Sequence, residues 1–298
     1  MIKLKDLLLE SDVPAILIPR KIEDRKARYN QMTQREVNNL INKYNANGNI
    51  GDLDFSAPFD EDIYADDDWN YNTSELSLEG EFIIPYTLKR VGGNLFLSYS
   101  NVTKLPDNLT FNNGYSGLNI TDCKKLKELP KGLKVYTIDA ENSGLIEIPD
   151  DLQCNYLDLQ HTKVKQLPLF KNLIQNIDLE GCTYFKTLPV GFTAGNVLIQ
   201  ESNSFVSVPN NVKIEELVVN ECKRFTSIGS NCTIERLFIG YSCPNFTTLP
   251  TDIKANLVNM IYTHTPLRIN LFSKYKTKPK VLKALTQMYP NVKKFQIG

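Results

Sequence analysis

Apolar residues along most of this chain fall in short apolar-x-apolar triplets that return at nearly regular intervals. Alternation with period two marks a strand that buries one face. The inward pairs read as Leu95/Leu97, Leu118/Ile120, Tyr136/Ile138, Leu157/Leu159, Ile177/Leu179, Val197/Ile199, Leu217/Val219, Leu237/Ile239 and Val258/Met260, with less regular forerunners at Leu53/Phe55 and Leu76/Leu78. Between the triplets runs a second series: Ile84-Pro85, Leu105-Pro106, Leu129-Pro130, Ile148-Pro149, Leu167-Pro168, Leu188-Pro189, Val208-Pro209, Ile228-Gly229 and Leu249-Pro250. Three residues further on, an apolar residue follows at Leu88, Leu109, Leu133, Leu152, Phe192, Val212 and Ile253, slipping to Leu173 after Pro168. A period of roughly 20 residues with one strand per repeat predicts a solenoid, because a short strand cannot bury its apolar face until stacked neighbours join it into one core. Proline fixes φ and lacks an N–H, so the returning side is extended or turned and has no room for a long helix. The expected fold is an α/β-type solenoid of about eleven coils, dominated by short parallel β-strands.

The ends break the pattern. Residues 1–49 read as a helical N-terminal leader and cap, with Thr33-Gln-Arg-Glu36 forming a capping box before Val37, Leu40 and Ile41, and Asn47-Gly48 ending the helix. The solenoid is expected over 50–267, because Gly51 to Ser56 echoes Gly93 to Ser98, with an acidic insertion at 57–74. Residues 268–298 read as a C-terminal helix-strand cap: Pro279 to Tyr289 has helical spacing, and Val292 to Ile297 alternates like a strand.

Composition narrows the function classes. Lys+Arg and Asp+Glu each number 34 in 298 residues, so no net field draws the chain to nucleic acid or an anionic membrane. Lysines do concentrate from Lys274 to Lys283, but without an aromatic stacking platform for nucleic acid. The first ten residues are too short and too charged for a secretory signal peptide or a membrane span. The chain therefore reads as soluble. Six cysteines include no CxxC pair, which suggests reduced structural thiols rather than zinc or redox chemistry.

The Leu-Pro-x-x-Leu signature followed by apolar-x-apolar resembles the shortest class of bacterial leucine-rich repeat, typified by type III-secreted effectors of Gram-negative pathogens. Leu-Pro-Asp-Asn-Leu arrays, as at Leu105 to Leu109, are also similar to repeats in proteins of tailed bacteriophages. The resemblance implies a leucine-rich-repeat horseshoe with small helical N- and C-terminal caps. It also implies that Cys123, Thr162, Cys182 and Cys222 hold the turn position at which these repeats place Asn, Cys or Thr. Met1 to Glu10 looks similar to the targeting leaders of phage internal head proteins, with Leu8-Leu9-Glu10 resembling their processing site; an amphipathic cap is the simpler reading. No catalytic extension of the effector type follows the repeats, so ubiquitin-ligase activity is not expected.

Candidate chemistry is sparse. His161 and His264 accompany no nucleophile motif, the acids from Asp60 to Asp68 lack the spacing of a calcium loop, and Gly92-Gly93 has no phosphate-loop context. No catalytic residue, cofactor or metal site is expected. The positions between the inward pairs project from the sheet face that a horseshoe makes concave. There the chain places Asp139, Tyr156, Asp158, Asp178 and Glu180, followed by Leu198, Val218 and Phe238 flanked by Glu216 and Arg236. Apolar residues in register on a strand face mark either a partner surface or a surface covered by another segment of the chain. The expectation is a non-enzymatic scaffold binding a viral or host protein, bacteriophage-encoded and placed in the virion or the host cytoplasm. The alternatives are a secreted effector and a structural virion component held by its caps.

Overall fold

A computed structural model describes residues 32–56, 81–112, 114–240, 242–260 and 265–297. The expected leader, the acidic insertion, the Leu76/Leu78 pair and His264 lie outside them. The chain is a parallel β-solenoid of about nine turns with few helices, fewer turns than the eleven coils expected. Its main sheet has eleven strands: Leu53–Asp54, Leu95–Phe96, Gly117–Asn119, Thr137–Asp139, Tyr156–Asp158, Asn176–Asp178, Thr193–Gln200, Lys213–Asn220, Thr233–Ile239, Leu257–Met260 and Phe295–Ile297. Every neighbouring pair is parallel and they stack in chain order, so each coil hands its strand to the next. Shorter parallel pairs, such as Ser207–Val208 with Ser227–Ile228, form on other sides of the coil.

The register fixes which residues face inward. Leu95, Leu118, Ile138, Leu157, Ile177, Val197, Leu217, Leu237 and Val258 align across successive strands, and all are buried. This corrects one expected pair: Ile138 is the first inward residue of its strand and Ala140 the second, while Tyr136 is only half-buried. Alanine carries too little apolar surface to stand out in the pattern, and the larger Tyr136 mimics an inward position. A second correction falls after Pro168, where Leu173 is exposed and Ile174 is buried. Phe170 packs beside Phe192 there, with ring centroids 6.1 Å apart.

Behind the strands, Phe185, Phe205, Phe225 and Phe246 form a column inside the core, with ring centroids 5.8, 5.3 and 5.1 Å apart and interplanar angles of 9°, 10° and 3°. All four are fully buried. A repeat of 20 or 21 positions brings each ring over the last, so one residue choice is reused in four successive coils.

Each coil turns where the strand ends, through a residue in the left-handed region. Tyr99, Asp122, Asn142, His161, Gly181, Glu201, Glu221 and Ser242 all have φ between 51° and 66°. The turn after the proline, or after Gly229 in its place, uses Asn108, Gly132, Gly191, Asn211 and Asn231 in the same region, which explains why Asn and Gly precede the apolar residue there.

Helix Gln34–Ala46 begins with the expected capping box: Thr33 Oγ1 accepts from the Glu36 amide, and Glu36 accepts from the Thr33 amide at 2.7 Å. Its buried residues Val37, Ile41 and Tyr44 join the solenoid core. Tyr44 Oη donates to the Gly51 carbonyl at 2.8 Å and accepts from the Gly92 amide at 2.7 Å, tying the helix to two coils at once. After the last repeat come helix Pro266–Tyr275, unforeseen in the sequence, and helix Lys278–Met288, close to the expected 279–289. The first is started by Thr265, whose hydroxyl accepts from the Arg268 amide, and by Pro266. Phe295–Ile297 then adds in parallel to Leu257–Met260.

Candidate functional site

The outward residues of the main sheet form columns, because parallel strands in register place equivalent side chains about 4.8 Å apart. The central column reads Asn119, Asp139, Asp158, Asp178, Leu198, Val218, Phe238, Asn259 and Gln296. Six of the expected face residues thus stand in one line, with an abrupt change from carboxylate to apolar between Asp178 and Leu198. Tyr156, Glu216 and Arg236 lie in the column on the N-terminal side of the strands, and Glu180 lies in the column on the other side.

The acidic half is organised by hydrogen bonds. Asp139 accepts from Asn119 Nδ2 at 3.2 Å and from Thr121 Oγ1 at 2.9 Å. Asp158 accepts from the Gln160 amide at 2.9 Å and Asp178 from the Glu180 amide at 2.9 Å, each a local turn that fixes the carboxylate. Gln160 Nε2 bridges Asp158 and Asp178 at 3.1 and 3.3 Å. Burial pushes the Asp158 carboxyl up to about 7, reinforced by the charges of Asp139, Asp178 and Glu141 and opposed by the Gln160 amide. Burial also raises Asp178, Glu141 and Glu180. His161, at the corner that follows, acts in the opposite direction on Glu141, Asp178 and Glu180. Among the described residues, no lysine or arginine forms an ion pair with any of these five carboxylates.

The apolar half is open. Val218 and Phe238, with Gln200, Asn220, Ile239, Gly240 and Asn259, line a hollow of about 290 Å³ made of strand residues and the Gly240 that follows Thr233–Ile239. Gly240 shapes it: a Cβ there would lie 2.3 Å from Asn220 Oδ1. Leu198, Val218 and Phe238 are half-buried, and at the flank Arg236 Nε donates to Glu216 Oε2 at 2.6 Å. Beside the acidic half, Tyr115 meets Tyr136 edge to face with centroids 5.2 Å apart, and Tyr136 meets Tyr156 at a tilt with centroids 5.4 Å apart. The row is hidden in the sequence because Tyr136 mimics an inward position. Glu141 was absent from the expected face, although Asp139-x-Glu141 and Asp178-x-Glu180 repeat the same pattern.

The cysteines belong to the interior. All six are buried and free. Cys123 Sγ donates to the Leu97 carbonyl at 2.9 Å, Cys182 Sγ to the Leu159 carbonyl at 3.0 Å and Ser202 Oγ to the Leu179 carbonyl at 2.7 Å. Burial pushes the thiols of Cys123, Cys154 and Cys222 up to about 12 and that of Cys182 to about 11. Thiolates are scarce at such values. Among the described residues no group of His, Cys, Asp and Glu has the arrangement to hold a metal ion, and no helix is long and apolar enough to cross a membrane.

No protein-family model, curated protein or solved structure matches the chain.

Proposed function

We propose that this chain is a non-enzymatic scaffold of leucine-rich-repeat type that binds a protein partner through the outward face of its main sheet. The observation that carries the reading is the hollow bounded by Val218 and Phe238, an apolar patch on a sheet face that no other described element covers. An apolar floor with a polar rim suits an anchoring side chain from a partner. The buried Cys, Ser and Thr ladder and the Leu-Pro corners support the repeat type. In that architecture the hollow lies on the concave side and the terminal helices act as caps that shield the open ends of the stack. Bacteriophage origin and association with the virion rest on the similarity of the Leu-Pro-Asp-Asn-Leu arrays; mass spectrometry of purified virions tests them.

The test of the face is affinity purification from the native host with wild-type protein and a Val218→Asp/Phe238→Asp double variant. A partner that is retained by the first and lost by the second, with the thermal midpoint nearly unchanged, supports the reading. Equal retention by both sinks it.

A further inference from the structure

The hollow and the carboxylate column stand in one line, and their spacing is set by the sheet. We infer that the occupant of this face is an extended peptide segment crossing the strands, with an apolar side chain in the hollow and lysine or arginine side chains over Asp178 and Asp158. This inference rests on the reading of the face proposed above and adds the chemistry of the partner.

Charge decides the occupant. Asp139, Asp158 and Asp178 are adjacent in the central column, with Glu141 and Glu180 in the next one; among the described residues none of them forms an ion pair, and His161 at the corner offsets only part of their charge. Like charges held this close repel, and burial raises the cost of charging them. A cationic side chain laid over the column offsets both effects, so this part of the face favours positive charge and rejects acidic segments. Tyr156, 42 % exposed at the flank of the Asp158 strand, adds a ring against which a guanidinium can stack.

Geometry decides the spacing. From Asp178 to the gap between Val218 and Phe238 is two to three strand steps, about 12 Å at ~4.8 Å per strand. An extended chain covers that in about four residues at ~3.3 Å each, and residues four apart in an extended chain point to the same side. Asp158 lies one step further on, within reach of a second cation two residues beyond the first. The segment is therefore cation-x-cation-x-x-x-apolar, in either chain direction. An apolar anchor without the cations places its flank against unpaired carboxylates, and cations without the anchor leave the hollow empty.

The experiment uses the full chain and fluorescein-labelled peptides read by fluorescence anisotropy: GRSRSGSLG, the same sequence reversed, GESESGSLG and GRSRSGSSG. One of the first two is expected to bind about tenfold or more tighter than either control. Two variants report separately on the two halves. Phe238→Asp is expected to abolish binding, whereas the near-isosteric Asp178→Asn, which preserves the fold, is expected to weaken it about tenfold and flatten its salt dependence. The inference is overturned if neither basic peptide outcompetes the controls, or if binding is indifferent to Asp178→Asn. A host partner that is lost on Phe238→Asp but carries no such segment also overturns it, while leaving the reading of the face intact.

Discussion

The thiol of Cys182 donates to the carbonyl oxygen of Leu159, 3.0 Å away in the preceding coil. The Leu159 carbonyl sits at the corner where the strand ends, and Thr162 Oγ1 reaches it too at 2.7 Å. Buried carbonyls at such corners need a donor, and the side chain three residues past the second inward position supplies one. Ser202 does so for Leu179 at 2.7 Å, whereas Ser143 Oγ at the equivalent place has no partner. Ser202→Ala is therefore expected to cost about 1–2 kcal/mol, and Ser143→Ala about 0.5 kcal/mol or less. Urea denaturation of the two variants checks the difference.

The same burial predicts silent thiols. In the native protein all six cysteines should resist a thiol-reactive dye such as DTNB at pH 8, and all six should react at once in guanidinium. A single fast-reacting cysteine in the folded state would contradict the placement.

Phe225 sits between Phe205 and Phe246, stacked with both. Truncation to Ala leaves a cavity in the middle of the column and is expected to cost about 3–5 kcal/mol. Phe225→Leu should recover most of that, because it restores volume and loses only the ring contacts. Thermal unfolding of the two variants side by side decides it.

Glu201 holds a left-handed corner at φ 51°, the position that Gly181 fills one coil earlier. A side chain pays about 1–2 kcal/mol in that conformation, and glycine returns part of the gain through its freer unfolded chain. Glu201→Gly is expected to stabilise the protein by about 0.5–1 kcal/mol, measurable as a higher denaturation midpoint.

Asp158 predicts the sign of a pH effect. Its folded carboxyl titrates at about 7, above the ~3.9 of an unfolded aspartate, so the folded state binds the extra proton between those values. Stability should fall as pH rises from about 4 to 7, and Asp178, Glu141 and Glu180, also raised, act in the same direction. Asp158→Asn removes the largest part. It is expected to raise the thermal midpoint at pH 8 by roughly 2–4 °C and to leave it unchanged near pH 4. A larger gain at acid pH would refute the assignment.

Much of this architecture was legible in the residues. The Leu-Pro corners and apolar triplets marked ten of the main-sheet strands with nearly correct inward pairs, and Thr33 with Glu36 marked the start of the first helix. The errors came where residue size misled the pattern: Ala140 hid an inward position, Tyr136 imitated one, and Leu173 stood beside the residue that packs. Helix Pro266–Tyr275 escaped notice because its apolar residues have little amphipathic order, although Thr265-Pro266 was a usable start signal.

Local periodicity along the chain dictates the repeat, the face that most residues take and the small polar residue at the corners. Register between coils was decided only in three dimensions. It put Asp139, Asp158 and Asp178 side by side, so that their charges couple, and it set Gly240 beside Asn220, so that a hollow opens next to Phe238. Residues 20 apart in the chain become neighbours through backbone pairing between strands, and neither a pKa nor a cavity exists until that pairing is made.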